Sequence, residues 1–315
     1  MAASPEIIRK AARLIQAGEL VAFPTETVYG LGADATNDRA VAKIFTLKGR
    51  PTINPLIVHF ADIDAVAGEV EWTGQAQMLA EKFWPGPLTL VMRRRTDCSL
   101  SLLVSAGLDT VGVRQPGHEL ALSLLGEADR PIAAPSANPS GRISPTRAEH
   151  VRESLGDGLG GDGVGAILDG GACRLGVEST VLDLSTGSPA ILRPGGVPAE
   201  ELEPVLGKLD GPDRNEPVKS PGSIGRHYAT NASLRLNAER AEAGETLLAF
   251  GPETPENALN LSVSGDLEEA AGNLFSMLRA LDVGKTKAIA VMAIPELGLG
   301  RAINDRLSRA AEDGE

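Results

Sequence analysis

The chain has 315 residues, 42% hydrophobic and 23% charged, with aromatics at only 3% and a formal net charge of -12. That supplies apolar material for one large core or two smaller ones, built mainly from Ala, Val, Ile and Leu. The acidic balance lacks the Lys/Arg excess that grips a phosphate backbone by counterion release, so it argues against nucleic-acid binding by the whole molecule.

Taken in chain order, Ser4-Pro5 predicts an N-cap and first-turn proline opening a helix to about Ala17. Leu20 to Phe23 predicts a short buried strand, and Pro24 to Asp34 a loop rich in Thr and Gly. Asn37 or Asp38 caps a helix that ends near Lys48-Gly49-Arg50-Pro51. Strands are expected at Leu56–Phe60, Leu88–Met92, Thr110–Arg114, Pro131–Ala134, Ala166–Leu168, Ser179–Leu184 and Ala190–Arg193. Helices are expected at Gln75–Phe83, His118–Leu125 and Thr146–Leu155. Strands alternating with helices predict an α/β fold, a sheet covered on its faces.

From about Gly207 to Thr230 the periodicity lapses, and Lys208 to Pro217 carries breakers without an apolar period, the mark of a linker. Periodicity then returns. Leu247–Phe250 and Ala288–Met292 read as strands, the helix behind Asp266 places Leu267, Ala271, Leu274, Leu278 and Leu281 on one face, and Ala302–Ala311 reads as a last helix. The expected division is a catalytic domain over 1–207, a linker over 208–230 and a smaller α/β domain over 231–315.

Cys98 and Cys173 have neither CxxC spacing nor a nearby His cluster. They offer no structural zinc site and read as thiols of a reducing compartment. With no signal-peptide core and no long apolar run, a soluble cytoplasmic protein is expected. Gly30-Leu31-Gly32-Ala33-Asp34-Ala35 matches a weak dinucleotide fingerprint, but the predicted strand does not run directly into Gly30, as that motif requires.

Polar residues concentrate in segments flanking the buried strands: Pro24 to Gly32, Lys48-Gly49-Arg50-Pro51 with Asn54, Pro135 to Gly141, Arg114, Ser179-Thr180 and Arg193 to Gly196. Loops at the carboxyl ends of strands line the crevice of open α/β sheets, so these segments are expected to converge there. They offer hydroxyls, amides and Lys/Arg groups with few carboxylates, a composition suited to phosphates and a substrate carboxylate.

PTETVYGLG, KGRP, NPLIVHF, FWPGPLTLV, VGVRQPGH, APSANPSG and GVESTVLDL together resemble the threonylcarbamoyl-adenylate synthase family, whose catalytic module is the YrdC-like domain. SPGSIGRHY (Ser220 to Tyr228) and GLGRAINDRLSRAA (Gly298 to Ala311) are similar to its longer, two-domain branch. The resemblance implies a twisted open mixed sheet with flanking helices, followed by a smaller Rossmann-like α/β domain. It implies joining of L-threonine, bicarbonate and ATP, with the product passed to a tRNA threonylcarbamoyl transferase and no membrane involved. Residue by residue, it assigns Lys48 and Arg50 to the triphosphate, and Thr27, His59, Arg114, Ala134 and Ser179 to threonine. Nucleotide contacts fall to Arg50, Asn54, Thr110, Ser136, Asn138, Ser144, Arg193, Arg226, His227 and Tyr228. Mg²⁺ is expected on the ATP phosphates rather than on protein side chains. The linker departs from the family pattern at Ser223, Ile224, Gly225 and Thr230 while keeping Arg226, His227 and Tyr228, and it is expected to fold over the site.

Overall fold

A computed structural model describes residues 4–156, 163–207, 209, 227–255, 258–283 and 286–312. The chain opens with α1 (Pro5–Gln16), started by Ser4, whose hydroxyl accepts from the Ile7 N–H. β1 (Val21–Pro24) and β2 (Tyr29–Asp34) then pair antiparallel, so the second half of the expected 24–34 loop is a strand. The glycines that suggested a loop serve packing instead. A Cβ on Gly32 would stand 2.7 Å from Cε1 of Phe23 and 2.9 Å from Cγ2 of Ile132, a space no other residue fits.

α2 (Asp38–Lys48) follows, capped by the Asn37 side chain and ended by Gly49 at φ 59°, the left-handed stop that glycine adopts without penalty. Next come β3 (Ile57–His59), α3 (Ile63–Ala67), α4 (Gly74–Phe83), β4 (Leu88–Arg93), β5 (Thr110–Arg114), α5 (Glu119–Ala128), β6 (Ile132–Ala133), α6 (Ala148–Leu155), β7 (Ala166–Ile167), β8 (Thr180–Asp183), β9 (Ala190–Arg193) and α7 (Ala199–Leu206). The helices α3 and α7 were not expected. The first is only five residues long, and the second carries Pro204 and buries only Leu202.

The nine strands form one mixed sheet in the order β7-β1-β2-β6-β3-β5-β4-β8-β9. Pairs β1·β7, β3·β5 and β4·β8 are parallel and the other neighbours antiparallel. Because side chains alternate along each strand, the sheet has two distinct faces. Leu31, Val58, Leu88, Leu90, Val111, Val113 and Leu182 build the main core with Ile44 of α2 and Leu79 of α4. Each such buried side chain is worth roughly 1.5–3 kcal/mol. On the opposite face, α1 and α5 cover Val21, Phe23, Ile132 and Leu168. Ile57, Val91 and Val181 form a small separate apolar group beyond those helices. That part of the face also carries His59, Gly112 and Arg114.

The second unit contains β10 (Ser233–Arg235), β11 (Glu245–Ala249), β12 (Leu259–Asn260), α8 (Leu267–Leu281), β13 (Ala288–Val291) and α9 (Leu299–Ala311). Its sheet is parallel throughout, in the order β10-β13-β11-β12. β10 and β12 have three and two residues, too short to show a period in sequence. Asp266 caps α8 by accepting from the Glu269 N–H, whereas the Asp266 N–H goes to the Ser262 hydroxyl and not to Glu269. Residues of α8 and α9 share one core with Leu248, Leu261, Ile289 and Val291, and that core extends to Val28, Ile143 and Val177 of the first unit. Packing of the second unit is thus continuous with segments bordering the first sheet's open face. Among the described residues no helix is long and apolar enough to cross a membrane.

Candidate functional site

A cavity lies over the open part of the large sheet, lined by Thr25, Thr27, Val28, Gly30, Arg50, Ile57, His59, Arg114, Ala134, Pro135, Ser136, Glu178, Ser179, Arg193 and His227. Ile57 and His59, two residues apart on β3, point to the same side, and His59 lies beside Arg114 in the parallel register of β3 and β5. The floor is therefore a sheet face, and loops form the walls. The expected loops thus share the lining of the crevice with the sheet face between them.

Three arginines face this space. The Arg50 guanidinium is held on one side by the Asn54 carbonyl at 3.1 Å, the Asn54 Oδ1 at 2.6 Å and the Pro55 carbonyl at 2.8 Å. Burial, followed by the nearby Arg193 charge, lowers its pKa to about 10, still a cation at neutral pH. Arg193 donates from Nε and Nη2 to the Ser179 carbonyl, and from Nη2 to the Ser179 hydroxyl at 3.2 Å. That hydroxyl shares a hydrogen bond with Thr89 at 2.8 Å. Arg114 donates from Nε to the Gly86 carbonyl and from both Nη atoms to the Thr27 hydroxyl. Its Nη2 also meets Glu26 Oε1 at 2.6 Å. Such planar, multiply anchored guanidinium groups are pre-set to receive carboxylate or phosphate oxygens.

Carboxylates are more prominent than the sequence suggested. Glu178 lines the cavity, and Glu26 stands behind Arg114. Both lie inside motifs already singled out, PTETVYGLG and GVESTVLDL, but their roles were not read from them. Burial alone would raise the pKa of Glu178. The charges of Arg306 and Arg193, with hydrogen bonds from Ser144 and Arg306, outweigh burial and hold it at about 2.

His59 is neutral. Burial, and then the Arg114 charge, lower its pKa to about 3, and its Nδ1 has no partner. Its ring packs edge-on to Phe23 at 6.3 Å. An imidazole so weakly basic is a hydrogen-bonding wall group and a poor proton acceptor for an ammonium. His227 is likewise lowered to about 3 by burial, which Glu178 opposes and the Arg50, Lys48 and Arg193 charges assist.

The cavity brings together Thr27, Arg50, His59, Arg114, Ala134, Ser136, Ser179, Arg193 and His227 of the expected set. Other members of that set stand behind or beside its walls. Lys48, buried beneath the Ser136–Asn138 loop, donates to the Ser136 carbonyl at 2.5 Å and to the Asn138 carbonyl. Burial, with the Arg50 charge, pushes its ammonium well below the usual lysine range. It ties down the loop and does not line the cavity. Asn54 orients Arg50, and Asn138 braces its own loop through the Pro139 and Arg142 carbonyls. Ser144 donates to Glu178 Oε1 at 2.6 Å, one layer behind the wall.

Thr110 shares a face with Gly112 and Arg114 but opens β5 about 13 Å before Arg114, outside the lining. Tyr228 points away into the second unit, stacked on Phe275 at 5.4 Å. Its φ of 62° is costly for so bulky a residue, and it lets adjacent side chains diverge, His227 into the cavity and Tyr228 into the core. Arg226 and residues 210–225 of the linker lie outside the described residues. Among the described residues no group of three or more His, Cys, Asp or Glu side chains is placed to hold a metal.

Residues 13–195 match the family described as Telomere recombination, and residues 197–312 match the threonylcarbamoyl-AMP synthase C-terminal domain. A threonylcarbamoyl-AMP synthase of Pyrococcus abyssi is 43% identical, the match covering 96% of this chain and 94% of that one. The protein of the same name in Bacillus subtilis is 42% identical over 96% of this chain and 92% of its own. A crystal structure of P. abyssi Sua5 complexed with L-threonine matches with a TM-score of 0.89 at 41% identity, covering 98% of this chain and 95% of that one. The agreement runs through both units, and the chain belongs to the threonylcarbamoyl-AMP synthase family.

Proposed function

We propose that this chain is a cytoplasmic nucleotidyltransferase that converts L-threonine, bicarbonate or carbon dioxide, and MgATP to threonylcarbamoyl-AMP and pyrophosphate. Its product would serve threonylcarbamoyladenosine formation in tRNAs reading codons that start with A. The observation that carries this reading is the convergence of three buried arginines and several hydroxyls on one cavity whose neighbouring carboxylates are already paired with arginines.

The chemistry asks for little else. The threonine amine nitrogen bonds to the carbon of CO₂ and loses a proton, giving an N-carboxylate; from bicarbonate, hydroxide or water leaves as well. An oxygen of that carboxylate attacks the α-phosphorus of ATP, and the bond to the bridging oxygen breaks with departure of pyrophosphate. The substrate supplies the nucleophile, so the protein's part is positioning and charge stabilisation.

In this reading Arg114 with Thr27 receives the threonine carboxylate, while His59, Ala134 and Ser179 surround the amino acid. Arg50 and Arg193 meet the phosphates, Asn54 orients Arg50, and Lys48 ties down the loop that carries Ser136. Ser136, His227 and, along the sheet face, Thr110 border the nucleotide. Asn138, Ser144 and Tyr228 act one layer behind, and Arg226 belongs to the same proposed set. Mg²⁺ enters with the nucleotide as part of the substrate; Glu26 and Glu178, each facing an arginine, suit a metal held by phosphates and water.

The test is mass spectrometry of the product formed with carbon-13 bicarbonate. A labelled threonylcarbamoyl-AMP, lost in Arg50→Ala with unchanged circular dichroism, is expected. AMP appearing without the labelled carbon would overturn the reading.

A further inference from the structure

The second unit sends one fully buried charge to the wall of the cavity. Arg306 of α9 is 0% exposed. Its Nε donates to Glu178 Oε2 at 2.9 Å and its Nη1 to the Pro194 carbonyl at 2.7 Å, with Asp305 Oδ2 at 2.8 Å. Its guanidinium also lies 5.4 Å from the ring centre of Tyr228. These contacts reach three of the segments that deliver cavity residues: Glu178 precedes Ser179, Pro194 follows Arg193, and Tyr228 follows His227. The other Glu178 oxygen takes the Ser144 hydroxyl. Gly195 seals the junction, since a Cβ there would stand 2.4 Å from the backbone carbonyl oxygen of Glu178 and the backbone nitrogen of Thr180.

We propose that Arg306 is a positioning residue for the reaction: through Glu178 and Pro194 it fixes the wall carrying Ser179 and Arg193, which makes the second unit an integral part of the catalytic site. The inference rests on the function proposed above and supplies a role for that unit. A purely architectural contact could have used apolar groups, as the neighbouring core does, without taking a guanidinium out of water. The cation instead offsets the carboxylate that Glu178 places on the cavity wall, where an uncompensated anion would repel phosphates.

The charged and titratable groups facing Glu178 are Arg306 from α9, with Asp305 joined to it, Arg193 from β9, and His227 and Tyr228 from the segment entering the second unit. Of these, Arg306 opposes burial most strongly. Without it, burial drives the Glu178 carboxyl upward, and a protonation absent from the wild type enters the assay range.

The experiment compares full-length wild type with Arg306→Met, Arg306→Lys, Glu178→Gln and the Glu178→Gln/Arg306→Met double variant. Threonine-dependent pyrophosphate release is measured from pH 5.5 to 8.5. Arg306→Met is expected to lower kcat/KM for ATP by roughly 10- to 100-fold at the alkaline end and to regain part of it as pH falls and Glu178 takes up a proton, a dependence that the double variant lacks. Arg306→Lys keeps the charge and is expected to keep the flat acidic side. Wild-type kcat/KM with an unchanged pH profile in Arg306→Met would overturn the inference, as would an equal loss in every variant without a pH component. Hydrogen exchange scores it independently of the reaction. Protection of Ser179–Thr180 and Gly196 is expected to fall in Arg306→Met while that of α8 holds, and unchanged protection overturns the inference. Absence of threonine-dependent release in the wild type would instead strike the underlying function.

Discussion

Arg114 and Glu26 form a buried ion pair, Nη2 to Oε1 at 2.6 Å, with side-chain exposures of 4% and 5%. The arginine assigned to the threonine carboxylate therefore already faces one carboxylate inside the protein, and both of its Nη atoms also serve the Thr27 hydroxyl. Removing one partner of such a pair leaves a buried charge uncompensated, which costs about 3–5 kcal/mol. Arg114→Ala is expected to lose stability of that order in urea unfolding, together with activity. Glu26→Gln, which keeps an acceptor, should cost less and mainly change the KM for threonine. Wild-type unfolding of Arg114→Ala would show that the pair bears no such weight.

Gly195 is a steric requirement of the cavity wall. The obstructing atoms are backbone atoms of Glu178, Ser179 and Thr180, which cannot rotate aside. Gly195→Ala should cost at least about 2 kcal/mol and displace Ser179 and Arg193. Thermal melting and the KM for ATP check this, and wild-type values for both would contradict it.

Acid sensitivity follows from the buried imidazoles. His59 and His227 have folded pKa values of about 3 against an ordinary value of 6.5. Between those values the unfolded chain binds protons that the folded chain does not, so stability falls as pH drops through this window. Tm should decline between pH 7 and 5, and His59→Asn should decline less steeply. Parallel slopes for the two proteins would refute the assignment.

Selectivity for threonine over serine depends on one methyl group. In the apolar part of the cavity, near Val28, Ile57 and Ala134, that methyl is worth about 1–3 kcal/mol, or roughly 10- to 200-fold. Serine should be turned over measurably at high concentration. Its complete rejection would mean that the site discriminates by something other than packing.

Much of this was legible in local sequence. Asn37 and Gly49 mark both ends of α2, and Thr110–Arg114 marks β5 with its arginine at the cavity end. Glycine misled at β2, because Gly30 and Gly32 read as loop until Phe23 and Ile132 are seen to occupy the space of a side chain. The place of the cavity, on a face of the sheet, depends on which strands lie side by side, and that is a long-range fact. So is the pairing of Glu178 with Arg306, 128 residues later in the chain. Lys48 was legible as important but not as a tether, since its partners are backbone carbonyls about ninety residues away.

The central claim is that one cavity activates threonine on ATP with the amino acid itself as nucleophile. Pyrophosphate release from MgATP and bicarbonate, measured with and without L-threonine, tests it most directly. The account predicts release that depends on threonine and is matched mole for mole by threonylcarbamoyl-AMP. Release at the same rate without threonine would contradict it.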